Sequence, residues 1–450
     1  MEQQRVDVGA IVDSASFLWK PFGVATMMIL ITLTDGFDLF IPSYVAPALI
    51  GDWGITRAQV QPFVQAGLFG MALGSVALGR VGDRIGRRKA FVACLALLSI
   101  GSVFCYFARS VSELFLWRVV MGLGLGGVTP LATTLVSEWT NQRVRNVAVA
   151  AVIVSIPLGG TLAGFIYRTL EPEYGWRSMF AVGAALPVVL LAMLSYWLPE
   201  SPKYMAKRPR AHPALAKSLN RLLREQRFNG TEAFFVVEDG RQSQHWFATL
   251  LNQDFRVRTA LIWVAFAVNS FVLYLFTGQI PLLLTAAQFS ADASSSGLQY
   301  FSAGAMLGSV GGAALIGRYG SRHTGTVLAA MGGVASVLIA LLLYGGGAAT
   351  GRLFLLCLVA GASVNGMQAF MYAVSAHAYP TEVRGAGVGA AQTVSRIGAV
   401  AGPAVAAWYF SMEPTPPVGA FFLFMAAVTL VTTLSFYLIP SHIPAGHAHS

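Results

Sequence analysis

Asp35-Gly36-Phe37-Asp38 places two carboxylates one helical turn apart inside an apolar run that continues to Ala46-Pro47. An acid at the centre of a lipid-spanning helix costs about 2.5 to 3.5 kcal/mol if left unpaired, so acids in such positions usually face a cavity and mark a proton or substrate path. The other reading is a helix interrupted near a membrane surface, where water solvates the acids; Asp35 lies well beyond Lys20, near mid-run, which favours the first. Two neighbouring carboxylates titrate as a pair, so proton exchange is assigned to Asp35 and Asp38 together. Arg118 and Arg396 are the only basic residues well inside apolar runs. A guanidinium is a permanently charged planar fork that matches a carboxylate, which any anion carried through low dielectric requires. Arg396 is the first candidate for that role, with Gln392 one turn earlier on the same face. For Arg118, coupling or substrate contact stands level with a structural pairing to Asp35, Asp38 or Glu113.

A small organic substrate held between helices would need apolar walls and a few orienting polar groups. Asn365, Gln368 and Tyr372 form one polar stripe on an apolar helix, and Asn269, Phe276 and Gln279 form a second. Hydrogen bonding between helices is the competing use of each stripe. No metal-ligand spacing, phosphate loop or nucleophile motif is present, so neither an enzyme nor a metal nor another cofactor is expected.

The elements that must hold these residues follow from composition. Of 450 residues, 55% are apolar and 11% charged, against roughly 25% charged in a soluble protein. The apolar sequence comes in runs of about 20 residues, the length that crosses a bilayer. Twelve runs in two sets of six, from 20–49 to 418–440, are continuous and not alternating, so they read as helices and not barrel strands. Gly70 with Gly74, Gly122 with Gly126, Gly160 with Gly164 and Gly304 with Gly308 have the spacing that lets helices approach closely in lipid. The expected organisation is a six-helix bundle over 1–198, a linker with short amphipathic helices over 199–257, and a second six-helix bundle over 258–450.

The net charge is +10. With the termini cytoplasmic, most Lys and Arg fall in the cytoplasmic loops and linker, as the positive-inside rule requires. The excess charge is therefore topology, and nucleic acid is not needed to explain it. The expected setting is a cell inner membrane, crossed many times by a chain functional as a monomer. Cys94, Cys105 and Cys357 lie in apolar runs and read as small hydrophobes. The polar N-terminus, with three acids up to Ser14, is unlike a cleaved leader.

Gly79-Arg80-Val81-Gly82-Asp83-Arg84 after span 2 recurs as Gly317-Arg318-Tyr319-Gly320-Ser321-Arg322 after span 8. Glu138 to Arg145 after span 4 is matched by His377 to Arg384 after span 10. Two similar halves fit a transporter with a site near mid-membrane. The loop Gly79 to Lys89 reads as a latch, in which Asp83 sits at a helix N-terminus and pairs with arginines of neighbouring spans. Gly79, Asp83, Arg84, Glu138, Arg145 and Arg384 are the candidate cytoplasmic gate; for Arg87, Arg88 and Lys89 a positive-inside anchor serves as well.

These motifs, taken in order, resemble the aromatic acid/proton symporters of the major facilitator superfamily along almost the whole chain. The resemblance rests on Asp35-Gly36-Phe37-Asp38, the latch loop, Arg118 with the glycine run Gly122 to Gly127 (interrupted by Leu123 and Leu125), and Gly175-Trp176-Arg177. It continues through Pro199-Glu200-Ser201-Pro202, Tyr379-Pro380-Thr381-Glu382-Val383-Arg384, and Arg396 with Gly402-Pro403. The latch and the Pro-Glu-Ser-Pro element mark the superfamily; the paired aspartates with Arg396 are more specific. The resemblance implies an all-α twelve-helix membrane protein that imports a small aromatic carboxylate with protons. A symporter for another organic acid or a polyol, and a membrane sensor of the same acids, are the alternatives. Ser321 in place of Asp83 and Lys203 in place of an arginine depart from the family pattern. Pro157-Leu158-Gly159-Gly160 partly resembles a segment of drug/proton antiporters, but the buried acids lie in span 1, which favours uptake.

Overall fold

The computed structural model describes residues 5–15, 19–236, 249–253, 255–345, 350–379, 381–412 and 417–444. Side chains at 76, 79, 80, 146, 313, 314, 316, 317, 376, 381, 382 and 384–386 are outside that description. A short strand β1 (Arg5–Asp7) and helix α1 (Val8–Ser14) lead into α2 (Trp19–Trp53), α3 (Arg57–Ile85), α4 (Arg87–Phe107), α5 (Val111–Trp139), α6 (Gln142–Tyr174) and α7 (Ser178–Trp197). After α8 (Pro202–Ala206), α9 (His212–Leu223) and β2 (Ala233–Phe235) come α10 (Arg256–Ala286), α11 (Ala291–Tyr319), α12 (Ser321–Tyr344), α13 (Thr350–Ala378), α14 (Thr381–Ser411) and α15 (Val418–Tyr437).

Among the described residues, nine helices are long and apolar enough to cross a membrane. The other three long helices, α3, α11 and α14, reach full length but carry more Gly, Ser, Gln and Arg. Several helices outrun their apolar runs: α6 starts at Gln142 and continues to Tyr174, because the backbone ladder persists where the hydrocarbon stops.

Glycine contacts set how the helices pack. A Cβ on Gly36 would overlap the Ile156 carbonyl, and one on Gly159 the Leu33 carbonyl, so α2 and α6 touch backbone to backbone. In the same way Gly70 lies on Val119 and Gly74 on Leu123, which joins α3 to α5. The second half repeats both contacts: Gly398 lies on Ala267, joining α14 to α10, while Gly304 and Gly308 lie on Leu358 and Ala362, joining α11 to α13.

These contacts correct the repeat read from the loop motif. Gly70 and Gly74 correspond to Gly304 and Gly308, which carries Gly86 onto Gly320, one helical turn away from the motif pairing of Gly82 with Gly320. Both glycines cap the next helix at positive φ, 103° for Gly86 and 76° for Gly320, a conformation that strains other residues. Because α3 runs a turn further than the motif suggested, Ser321 answers to Arg87 and not to Asp83.

By contacts the chain forms two compact units. The first comprises 1–39, 66–159 and 180–239; the second comprises 40–65, 160–179 and 240–450. In the first, β1 pairs in parallel with β2, and Val6, Val8 and Val12 share an apolar core with Leu215, Leu219 and Leu222 of α9 and with Phe228 and Phe234. The second unit holds α10 to α15 together with one end each of α2, α3 and α6.

Candidate functional site

In the first unit α2 brings the acids to α5. Asp35 Oδ2 accepts a hydrogen bond from Thr129 Oγ1 at 2.8 Å. Asp38 is fully buried, and neither of its carboxylate oxygens has a hydrogen-bond partner among the described residues. Arg118, also buried, donates from Nη1 to the Asp38 backbone carbonyl at 3.2 Å. That carbonyl is available because Pro42, four residues on, has no N–H to close the helical bond. Gly67 makes room for the guanidinium: a Cβ there would stand 2.8 Å from Nη2. Of the acids weighed against Arg118, Glu113 is exposed and accepts the Arg109 backbone N–H at 2.9 Å.

The second unit joins α10, α13 and α14 through neutral groups. Asn269 Nδ2 donates to the Val364 carbonyl at 3.1 Å and to Gln368 Oε1 at 2.8 Å. Ser270 Oγ lies 2.5 Å from Ser395 Oγ and 3.5 Å from Gln368 Oε1. The next residue, Arg396, is half-buried and has no ion pair or hydrogen bond among the described residues; Gln392, a turn before it, is exposed. Asn365 and Tyr372 flank Gln368 half-buried, Asn365 bonding back to the Gly361 carbonyl at 3.3 Å and Tyr372 standing edge-on to Phe266. Phe276 and Gln279 are held differently: Phe276 stacks on Phe301, and Gln279 exchanges two 3.1 Å hydrogen bonds with Gln61 of α3.

The glycine contacts let the two halves be compared residue by residue. With Leu33 matched to Ala267, Asn269 stands where the first half has Asp35, and Val272 where it has Asp38. With Val119 matched to Leu358, Cys357 stands at the place of Arg118 and Gln368 at that of Thr129. Pro42 becomes Phe276. Asp38, Arg118 and Pro42 are therefore absent together from the second half, as expected of parts that act as one device. The Asp35–Thr129 pair persists there as an uncharged amide pair.

At the loop between α3 and α4, Asp83 is not at a helix N-terminus. Helix α3 continues through it, and Asp83 pairs with Arg87 one turn on, at 2.8 Å. Glu200 occupies the N-terminus of α4 instead, accepting from the backbone N–H groups of Arg87 at 2.8 Å and Arg88 at 3.3 Å. Arg87 also lies 3.6 Å from buried Glu138. Arg145 pairs with Asp13 at 2.5 Å, and the Arg84 carbonyl accepts from Tyr204 and Arg208. His377, at the place of Glu138, is exposed, and the surroundings of Gly79 and the side chain of Arg384 lie outside what the structure describes. In the second half the tail after α15 replaces Glu200: Ile443 N–H donates to Ser321 Oγ at 2.8 Å, the Ser321 N–H donates to the Ile443 carbonyl at 2.9 Å, and His442 Nδ1 lies 3.2 Å from the same hydroxyl.

Sequence reasoning missed Thr129, Pro42, Gln61 and the Ser270–Ser395 bridge. A signal for Pro42 was present, since a proline four residues beyond Asp38 frees that carbonyl; nothing in the pattern singled out Thr129 or Ser395.

Residues 28–403 match the Major Facilitator Superfamily. The chain is 30% identical to the 4-hydroxybenzoate transporter PcaK of Pseudomonas putida, over 89% of this chain and 90% of that one. It is also 30% identical to the gallate transporter of Pseudomonas putida, over 88% and 87%. In three dimensions it resembles the partially occluded, inward open xylose transporter XylE from E. coli, with a TM-score of 0.72 over 94% and 98% of the two chains; at 16% identity that likeness carries the fold alone.

Proposed function

The chain belongs to the Major Facilitator Superfamily, and from that premise we propose that it imports a small aromatic carboxylate together with protons by alternating access. Its relatives named for 4-hydroxybenzoate and gallate transport such acids, and the observation that carries the reading to this chain is Arg396, a half-buried guanidinium on a membrane helix with no anion beside it among the described residues. Arg396 is the proposed partner of the substrate carboxylate. Asp38 is the proposed proton carrier: when its proton leaves, Arg118 can move from the Asp38 carbonyl to the carboxylate next to it and hold the charge within the first unit. Asp35, tied to Thr129, supports the same exchange.

The proposed setting is an inner membrane with both termini cytoplasmic, which puts the Lys- and Arg-rich loops inside. A single chain is the proposed working unit, and the substrate is expected to emerge chemically unchanged. One proton with a monoanion moves no net charge and is driven by the pH difference alone, about tenfold accumulation per pH unit. A second proton adds about 2.3 kcal/mol per 100 mV, so the response to an imposed potential counts the protons.

The test is uptake of labelled aromatic acid into vesicles carrying the purified protein, with an imposed pH gradient. The wild type is expected to accumulate it. Arg396→Gln is expected to abolish uptake of carboxylates, and Arg396→Lys, which keeps the charge but loses the fork, to lower it at least tenfold. Binding without gradient-dependent accumulation would mean a sensor, and carboxylate uptake intact in Arg396→Gln would move the anion site elsewhere.

A further inference from the structure

The amide of Gln368 is half used, and its orientation is settled by its neighbour. The Val364 carbonyl can only accept, so the Asn269 atom beside it is Nδ2, and the Gln368 atom that the same Nδ2 reaches must be Oε1. Ser270 approaches Oε1 as well. The two Nε2 hydrogens of Gln368 therefore point away from this cluster and have no acceptor among the described residues, on a side chain that is only half-buried. Such a fixed, unspent donor on a membrane helix is a recognition element in search of an acceptor. Its place in the repeat agrees: the matching pair in the first half, Asp35 with Thr129, can change charge, whereas Asn269 with Gln368 cannot.

We infer that Gln368, held by Asn269 as its positioning residue, donates a hydrogen bond to an oxygen substituent on the ring of the substrate and so selects oxygen-bearing aromatic acids over unsubstituted ones. This rests on the function proposed above and adds to it the part of the molecule read by the second unit's neutral pair. Arg396 takes the carboxylate, and Gln368 takes the ring oxygen. A neutral hydrogen bond of this kind is worth about three- to tenfold in affinity.

The experiment is competition against uptake of one labelled aromatic acid, with benzoate and its monohydroxy, monomethoxy and monoamino derivatives as competitors. In the wild type, the best-placed hydroxy and methoxy isomers are expected to compete three- to tenfold better than benzoate, and the amino compounds little better than benzoate. Gln368→Met keeps the shape and removes the donor; the oxygen preference, read as each derivative against benzoate in the same variant, should collapse towards one. Gln368→Glu accepts from Asn269 on one oxygen and presents an acceptor with the other, so amino compounds should overtake methoxy compounds. Asn269→Leu frees the amide to turn and should lower the same ratio of derivatives to benzoate. The inference is overturned if Gln368→Met weakens benzoate and its derivatives in equal proportion, if Gln368→Glu keeps the wild-type order, or if Asn269→Leu leaves selectivity unchanged. Failure of the wild type to take up any aromatic acid would instead overturn the function on which it rests.

Discussion

Asp38 is a buried acid whose carboxylate meets no hydrogen-bond donor among the described residues, and Arg118 is a buried cation bonded to a carbonyl. Removing one of two close buried charges is worth about 3–5 kcal/mol because the other is stranded, so the two should fail differently alone and together. Asp38→Asn is expected to exchange labelled substrate across the membrane yet lose accumulation driven by a pH gradient. Arg118→Met should lower the amount of folded protein, and Asp38→Asn combined with Arg118→Met should restore folded protein but not accumulation. Folded yield by size-exclusion chromatography and uptake in vesicles separate these outcomes. The charged residues of this site were legible in the sequence because a charge in an apolar run stands out. Thr129 was not, because threonine is unremarked in membrane helices and only the register of α2 on α5 selects it. At the end of α15, burial and the Arg322 guanidinium hold His442 below the ordinary imidazole value. Protonation then favours the undocked tail, so docking is complete above about pH 6.5 and weakens as the pH falls below it. Protection of the Ile443 N–H, bonded to Ser321, measured as its hydrogen exchange relative to an unstructured amide at the same pH, is expected to fall as the pH drops below that value and to be low at every pH in Ser321→Ala.

Helices in lipid are held by close packing more than by apolar burial, and this governs the element scale. Gly398 lies on the Ala267 backbone, whereas Gly389 of the same helix has open space where a Cβ would go. Gly398→Ala is therefore expected to force α14 off α10 at a cost of about 1–3 kcal/mol, and Gly389→Ala to be neutral or slightly stabilising through helix propensity. Thermal unfolding in detergent distinguishes them. The number and order of the long helices were legible from hydropathy, since each needs only enough apolar residues in sequence. The register between repeats was not: the Gly-Arg-x-Gly strings align as text with Gly82 on Gly320, whereas α3 and α11 are equally long and end in step with Gly86 on Gly320, and only the glycine contacts across to α5 and α13 reveal it. For the same reason Asp83 was expected at a helix start that the structure gives to Glu200.

On the scale of the molecule, the second unit incorporates the ends of α2, α3 and α6 along with the six C-terminal helices. Gln61 meets Gln279 through two amide hydrogen bonds, Arg168 of α6 pairs with Asp292 of α11 at 2.9 Å, and Tyr44 stacks on Tyr167. In the proposed orientation these groups lie towards the outer face, and the Gln61–Gln279 and Arg168–Asp292 contacts join a first-half helix to a second-half helix, so both must part if the outer side is to open. A Gln61→Cys, Gln279→Cys pair is expected to be joined by a short bifunctional thiol reagent, and the joined protein to lose uptake while either single variant treated alike keeps it. Hydrogen bonding between helices was one of the two uses the sequence offered for Gln279, but its partner Gln61 and the Arg168–Asp292 pair were not readable, because polar residues near the ends of membrane helices are ordinary there. The strand pairing near the N-terminus has a consequence for biogenesis. β1 is made before its partner β2, which lies beyond α7, so the nascent strand stays unzipped until the six long helices between them have been synthesised, and the ribosome must deliver that whole stretch before the clasp can shut.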